Sequence, residues 1–232
     1  MKKLLGAAAA FLCLVVSVQA ADVEDLVKQL KDKDPDIRRK AAKELADVGA
    51  DAKPAVPALV ASLKDNDLFV RRFSAQALGA IGPDAQGALP ALQKIVKDGN
   101  EKKEVQEAAV LAIGKMGRVS VKYLGGLVKD PEFDVTLRRR AAESLGATGP
   151  DAKDALPALT EALKGVAPKG KKMDKDGDIR LAAADALGNI AAADDKDALE
   201  ALKSINAEKG AKQNKTLFDT INGAVKKIEA RK

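Results

Sequence analysis

One apolar pattern recurs five times along the chain, and this internal repetition constrains the fold more than any single motif. Its copies begin at anchor residues spaced 33, 35, 32 and 42 positions apart. Ala follows each anchor at the fourth or fifth position, and Leu or Ile follows at the eighth. Because these positions share one face of an α-helix, each copy predicts a first helix. The anchors are Ile37, Val70, Val105, Leu137 and Ile179.

A second helix is predicted after each first one. A glycine stands twelve positions after the anchor in four copies, and we expect it to form a left-handed C-terminal cap. These glycines are Gly49, Gly82, Gly117 and Gly149, and the fifth copy has Ala191 instead. A turn and a second apolar segment follow, as in Leu156-Pro157-Ala158-Leu159. The repeated unit is therefore a pair of α-helices, and the predicted fold class is all-α.

The two ends of the repeat array have patterns of their own. Residues 25–32 match residues 58–65 at an offset of 33, which predicts a half-repeat at the start. An amphipathic segment at about 212–230 predicts a longer terminal helix, with Leu217, Ile221 and Ile228 on its apolar side. Repeat arrays need terminal elements with one polar face for solubility. Both segments are therefore interpreted as capping helices.

In combination, the Val/Ile-Arg, Ala-Ala, Leu-x-x-Ile-Gly and Leu-Pro-Ala-Leu elements resemble the HEAT repeat family, specifically the short HEAT-like repeats of phycobilisome-lyase subunits. This resemblance covers about residues 22–206. It implies a right-handed α-solenoid of about five helix pairs with terminal capping helices. It also implies that the first helices line the convex side and the second helices the concave side.

The first twenty residues have the pattern of a bacterial-type secretory signal. Lys2 and Lys3 precede an apolar run at 4–18, and small residues stand at the −3 and −1 positions before Ala21. A membrane span needs about 20 apolar residues, so this run is short for one. We therefore expect a signal peptide at 1–20 and a single HEAT-repeat domain at 21–232. The mature protein is expected to be periplasmic or secreted, with no membrane span.

The composition excludes several classes of enzyme. The chain has no His, and its one Cys is Cys13, within the predicted signal peptide. Ser-His-Asp and Cys-His nucleophiles and zinc sites with imidazole ligands are therefore excluded. We predict no catalytic residue, no cofactor site and no metal site. The leading hypothesis is a non-enzymatic scaffold that binds a protein or peptide on its concave face, with the partner-binding residues unknown.

Two alternative functions compete with the scaffold hypothesis. The repeat type suggests a lyase-type or chaperone-like maturation subunit, although export and the absence of His count against it. Weak polyanion binding is the second alternative. After signal cleavage, 38 basic residues face 34 acidic ones, and this mild excess predicts no specific nucleic-acid binding. We expect the protein to be a monomer.

An Arg follows the anchor in four copies, and two roles fit it. These residues are Arg38, Arg71, Arg138 and Arg180. A functional role would be a basic ladder for acidic ligands. The structural role, implied by the family, pairs each Arg with the turn Asp at 51, 84 or 151. The third copy favours the structural role, because Gln106 and Val119 replace both charges in the same repeat.

The run Asp174-Lys175-Asp176-Gly177-Asp178 has the 1, 3, 5 spacing of a calcium loop. However, Ile179 occupies the sixth position, where the loop needs Gly. The repeat frame instead places these acids at the start of a first helix, so both interpretations stay open. An insertion at 165–175 precedes the fifth copy and carries Lys169, Lys171 and Lys172. It fits either a solvated loop or a basic docking segment.

Three aromatic residues complete the candidates. Phe69 and Phe73 lie four residues apart on one predicted first helix, and we expect them to pack between repeats. Tyr123 lies near the start of a second helix and fits either an interface anchor or a packed ring with its hydroxyl in water.

Overall fold

The computed structural model describes residues 22–165, 177–207 and 214–231, and all regular secondary structure in them is helical. The predicted signal peptide and residues 166–175 of the insertion lie outside the described residues. The α-helices are α1 (22–29), α2 (Pro35–Val48), α3 (Val56–Ser62), α4 (Leu68–Ile81), α5 (Leu89–Lys97), α6 (Lys103–Gly114), α7 (Val121–Lys129), α8 (Val135–Thr148), α9 (Leu156–Lys164), α10 (Gly177–Ile190), α11 (Lys196–Ala207) and α12 (Lys215–Glu229).

The helices alternate as the repeat pattern predicts. Even-numbered helices from α2 to α10 are the first helices, and odd-numbered helices from α3 to α11 are the second helices. In the first four pairs a short 3₁₀ segment joins the two, as at Gly49–Ala55 and Gly82–Ala88. With α1 and α12 at the ends, this arrangement confirms an α-solenoid of five helix pairs with terminal helices.

The chain forms two compact units, Met1–Ala112 and Ile113–Lys232. In the first unit, α2 packs against α4 and α3 also contacts α4. Leu45 and Leu78 on the first helices and Leu59 and Leu92 on the second helices are fully buried there. The repeated Leu positions therefore form the core between the layers of first and second helices.

The second unit has the same layering. Helix α8 packs against α10, and α10 packs against α12, while α9 contacts α11. Leu145, Leu159, Leu187 and Leu202 are fully buried. The terminal helix α12 thus continues the layer of first helices.

The anchor residues are buried, with one exception. Val70, Val105, Leu137 and Ile179 are at most 3% exposed, whereas Ile37 is 37% exposed. Ile37 lies on α2, and among the described residues no other first helix precedes α2 to cover it. The anchor of the first copy is therefore partly exposed, unlike the other four.

The glycines that end the first helices have a positive φ, but the predicted left-handed α conformation is wrong. Gly49, Gly82 and Gly149 have φ between 68° and 73° with ψ between −132° and −146°. This region is accessible essentially to glycine alone. Only glycine can therefore make this change of direction from the first helix into the 3₁₀ turn without strain.

Glycines inside the first helices allow neighbouring first helices to approach closely. A Cβ added to Gly146 would lie 3.0 Å from Cα of Ala186, and one added to Gly188 would lie 2.7 Å from Cα of Ala224. The two contacts join α8 to α10 and α10 to α12. The Leu-Gly element of the repeat thus sets the distance between stacked helices.

The end of α10, where the fifth repeat has Ala191 instead of glycine, is contacted by Arg231, which follows α12. Nη1 of Arg231 donates to the carbonyl of Ala191 at 2.6 Å, and Nη2 donates to the carbonyl of Asn189 at 3.0 Å. These carbonyls stand at the end of α10, where a helix leaves acceptors unsatisfied. A side chain from the residues just after α12 therefore caps α10.

Candidate functional site

The repeated Arg has a structural role, but its predicted partners are wrong. Arg38 forms a two-bond pair with Asp65, with Nε 2.7 Å from Oδ2 and Nη2 2.9 Å from Oδ1. Arg71 pairs in the same way with Glu101, at 2.8 and 2.7 Å. Both partners lie in the loop that follows the second helix of the same repeat. Such bidentate pairs are the strongest geometry available to Arg and a carboxylate.

The turn acids predicted as partners lie elsewhere. Asp84 pairs with Lys53 at 2.9 Å, and both side chains are exposed. Asp51 and Asp151 are exposed residues of the 3₁₀ turns. The joint absence of charge at Gln106 and Val119 therefore does not mark an ion pair between these two positions.

A second function of the post-anchor residue explains Gln106. Nη1 of Arg71 donates to the carbonyls of Asp65 and Asn66 at 2.8 and 3.1 Å. Gln106 donates through Nε2 to the carbonyls of Val96 and Asp98. Arg138 and Arg180 donate through Nε to Val128 and Leu163, respectively. The post-anchor side chain thus satisfies carbonyls at the end of the preceding second helix, and Gln can do so without charge.

A neighbouring Arg also pairs across a repeat. Nε of Arg39 donates to Oδ1 of Asp67 at 2.9 Å. Asp67 also caps α4, because its carboxylate accepts from the backbone N–H groups of Phe69 and Val70. The Arg39 guanidinium and these backbone donors hold the pKa of Asp67 well below its usual range, against the opposing effect of burial.

The structure describes a groove between two second helices in each unit. In the first unit, α3 and α5 enclose about 390 Å³. Val60, Ala91 and Ile95 supply its apolar surface, and the exposed Lys64 and Lys94 stand at its rim. Arg71, which also lines the groove, is neutralised by Glu101. The groove therefore combines an apolar floor with a rim of mixed charge, since the exposed Asp98 also lines it.

The groove of the second unit lies between α9 and α11 and measures about 960 Å³. Leu156 and Ala201 contribute apolar surface. Lys153 and Asp195 form a pair at 3.4 Å. Unlike the first groove, this one has more acidic than basic side chains: Asp154, Asp194, Asp195, Asp197 and Glu200 against Lys153, Lys164 and Lys196.

The groove residues were not predicted, although the sequence carries a signal for some of them. A Lys follows the last buried apolar residue at the ends of α1, α3 and α5, as Lys31, Lys64 and Lys97, and all three are exposed. This Leu/Val-Lys-Asp element recurs at intervals of 33 residues. A repeated exposed charge on one helix layer marks a surface, not a core.

The aromatic residues divide between surface and interior. Phe69 contacts Arg39 of the preceding repeat but is 41% exposed, so it packs between repeats only in part. Its ring stacks on Phe73 at a centroid distance of 6.4 Å. Tyr123 is half-buried, and burial raises the pKa of its hydroxyl to about 12.

The calcium hypothesis and the expectation of no membrane span concern separate parts of the chain. Asp174 and Asp176 lie outside the described residues, and α10 already begins at Gly177. In the described ranges, no group of three or more Cys, Asp or Glu side chains has metal-binding geometry. Every helix within those ranges is too short or too polar to span a bilayer.

The helix pairs, their glycine turns and their stacked first helices define an α-solenoid repeat protein. The sequence model of HEAT repeats matches residues 23–103 and 99–168. These segments make up more than half of the chain, which therefore belongs to the HEAT repeat family. The finer resemblance to phycobilisome-lyase repeats stays a prediction.

Solved structures of designed repeat proteins have the same fold. The crystal structure of an engineered protein is 22% identical, with a TM-score of 0.60 over 90% of this chain and 97% of that one. A designed armadillo repeat protein in complex with the peptide (KR)4 is 20% identical, with a TM-score of 0.58 over 88% and 98%. No curated protein sequence matches the chain. At these identities the similarity establishes the fold alone.

Proposed function

We propose that this protein is an exported, non-enzymatic scaffold that binds a protein or peptide along its layer of second helices. One observation carries the proposal: in each unit, neighbouring second helices leave an open groove with apolar surface and charged side chains at its edges. The family resemblance makes this layer the concave one. Repeat arrays present extended surfaces of this kind to their partners, and the apolar floor of each groove suits an apolar side chain of an extended peptide.

The shape and chemistry of the grooves favour a polypeptide over a small substrate. Small-molecule sites are usually concave pockets that bury most of the ligand and converge a few polar groups on it. Here the rim side chains, such as Lys64, Lys94 and Glu200, are exposed and spread along helix surfaces. The designed armadillo protein in complex with (KR)4 supports the proposal, since it is a solenoid of similar fold that binds a peptide.

Site-specific photocrosslinking in cells tests this proposal. A photoreactive residue at Ile95 or Ser204 would report on the two grooves, and one at the exposed Gln76 of α4 would be the control on the first helices. We expect the two groove positions to form the same discrete adduct and Gln76 to form none. Equal adducts at all three positions, or none at the groove positions, would contradict the proposal.

Export is a separate part of the proposal and needs its own test. The n-region, apolar run and cleavage pattern of residues 1–20 support it. Mass spectrometry of protein recovered outside the cytoplasm should find a mature chain that begins at Ala21. Retention of residues 1–20 in a cytoplasmic fraction would contradict export while leaving the grooves unaffected.

A further inference from the structure

A cluster of two Phe and two Arg side chains lies on the first helices of the first unit. We call it the Phe69–Arg72 patch, and it consists of Arg39, Phe69, Arg72 and Phe73. The Arg72 guanidinium lies 5.4 Å from the Phe69 ring centroid and 5.0 Å from that of Phe73. Arg39 lies 5.2 Å from the Phe69 ring. The guanidinium of Arg72 is therefore held against two aromatic faces.

The repeat frame shows what Arg72 lacks. Arg39 occupies the same position one repeat earlier, and it pairs with Asp67, the N-terminal cap of the next first helix. The position equivalent to Asp67 in the following repeat is Lys102, because the anchors Val70 and Val105 are 35 residues apart. The repeat thus supplies a carboxylate to Arg39, whereas the equivalent position for Arg72 holds a Lys.

Nearby acids do not replace the missing partner. Glu101 is adjacent to Lys102, but both of its oxygens accept from Arg71. Nε of Arg72 is buried and has no hydrogen-bond partner in the described part of the chain. Arg72 thus has one buried donor without an acceptor, and no carboxylate of the described residues pairs with its guanidinium, which leaves it able to bind a carboxylate from another molecule.

The Phe69 ring has no structural need to be apolar. It is 41% exposed, and the equivalent positions of other repeats are the polar Asp36, Glu104 and Thr136. Exposed aromatic rings beside Arg are typical of interaction hot spots, where rings provide rigid apolar area and Arg binds carboxylates. The patch therefore has the composition of a docking surface.

We propose that the Phe69–Arg72 patch docks an acidic peptide segment, with a carboxylate on Arg72 and a neighbouring apolar side chain on Phe69. Charge complementarity selects this partner, since Arg39 is already neutralised by Asp36 and Asp67 and Arg72 is not. The patch lies on first helices, whereas the grooves lie between second helices. The proposal is therefore independent of the partner proposed for the grooves.

Fluorescence polarisation with labelled octapeptides tests the patch on the full chain. The probes are a peptide of alternating Glu and Leu and its counterpart with Gln in place of Glu. Arg72→Gln and Phe69→Ser should each weaken binding of the Glu–Leu peptide about tenfold, the size of a hot-spot loss. The Gln–Leu peptide should bind the unaltered protein about tenfold more weakly than the Glu–Leu peptide.

Lys94→Gln is the matched control, because it removes one positive charge from the groove of the same unit. It should change the affinity by less than about twofold, as expected for a screened surface charge. Arg72→Lys keeps the charge but loses the planar guanidinium. Its affinity for the Glu–Leu peptide should therefore lie between those of the unaltered protein and Arg72→Gln. Thermal melting should show that Phe69→Ser and Arg72→Gln remain folded.

Four results would overturn the proposal. Equal losses in Arg72→Gln and Lys94→Gln would indicate non-specific charge attraction. A loss in Lys94→Gln alone would place the acidic peptide in the second-helix groove instead. If the Glu–Leu peptide did not bind the unaltered protein, the patch would not be a site for acidic peptides. Self-association of the unaltered protein that Phe69→Ser abolishes in sedimentation would identify a second copy of the chain as the occupant.

Discussion

Asp67 combines two stabilising contacts in one carboxylate. It accepts two backbone hydrogen bonds at the start of α4 and pairs with Arg39 of the preceding first helix. Its side chain is 16% exposed, so these contacts are largely shielded from water. A single residue therefore couples the formation of one helix to its packing on the previous repeat.

Asp67→Ala should lower the free energy of unfolding by about 1–2 kcal/mol through loss of the cap and its ion pair. The exposed Asp51 provides the control, and Asp51→Ala should stay within about 0.5 kcal/mol of the unaltered protein. Urea denaturation at pH 7, followed by circular dichroism, measures both. Equal losses in the two variants would mean that the cap and pair of Asp67 contribute nothing specific.

The Asp67 contribution should also depend on pH, with a defined sign. The folded state holds its pKa below the ordinary Asp value, so the unfolded state binds the proton first. The stability difference between the unaltered protein and Asp67→Ala should be constant above about pH 5 and shrink below about pH 4. Urea titrations from pH 7 to pH 3 would show this trend. A difference that grows on acidification would contradict it.

The Arg71–Glu101 pair is a second test at the residue scale. Glu101 has a side chain only 7% exposed, so Arg71→Gln would leave a buried carboxylate unpaired. We expect a loss of about 2 kcal/mol, below the range for fully buried pairs because Arg71 is 17% exposed. Adding Glu101→Gln should recover much of this loss in a double-mutant cycle. Additive losses would show that the two residues do not depend on each other.

At the scale of the element, substitution of Ala for two helical glycines should change stability in opposite directions. Gly188 lies inside α10, where a Cβ would approach Cα of Ala224 to 2.7 Å. Gly126 lies inside α7 and has no atom within 4 Å of such a Cβ. Helix propensity favours Ala at both sites, so packing decides the difference.

Gly188→Ala should destabilise the protein by roughly 1–3 kcal/mol, because α10 and α12 would have to separate. Gly126→Ala should stabilise it by about 0.5–1 kcal/mol through helix propensity alone. Thermal melting of the two variants would measure this contrast. Stabilisation by both substitutions would show that α12 yields without cost and that Gly188 does not set the spacing.

The helices were predictable because each has one buried face, and the apolar pattern that produces this face recurs along the sequence. The partners of the repeated Arg residues could not be predicted, because Asp51 and Asp65 both recur along the chain, as Arg38 does. Periodicity identifies which positions recur, but it does not show which of two recurring acids stacking brings nearer. Phe69 had a usable signal in the polar residues at its equivalent positions, which indicate solvent. The grooves depend on distances between helices that no local pattern contains.

At the scale of the molecule, a solenoid exposes the apolar face of its last helix unless another element covers it. Helix α12 covers α10 through Ala224 and buries Leu217, Ile221 and Ile228. Its exposed side carries Lys226 and Lys227, and Lys227 also binds Asp185 and Asn189 of α10. Helix α12 therefore covers the apolar face of α10 and presents a charged face to solvent.

Removal of this cover should make the protein associate, because exposed apolar patches of several hundred Å² drive contact between molecules. Ile221→Glu places a charge in the fully buried interface of α12, whereas Lys226→Glu places the same side chain on its exposed side. We expect light scattering to detect concentration-dependent association of Ile221→Glu and of a chain ending at residue 213, but not of Lys226→Glu. Circular dichroism should show that both associating proteins keep most of their helix, since each repeat is stabilised mainly by its neighbours. If both stayed as dispersed as the unaltered protein, α12 would be an appended helix and not the cap of the array.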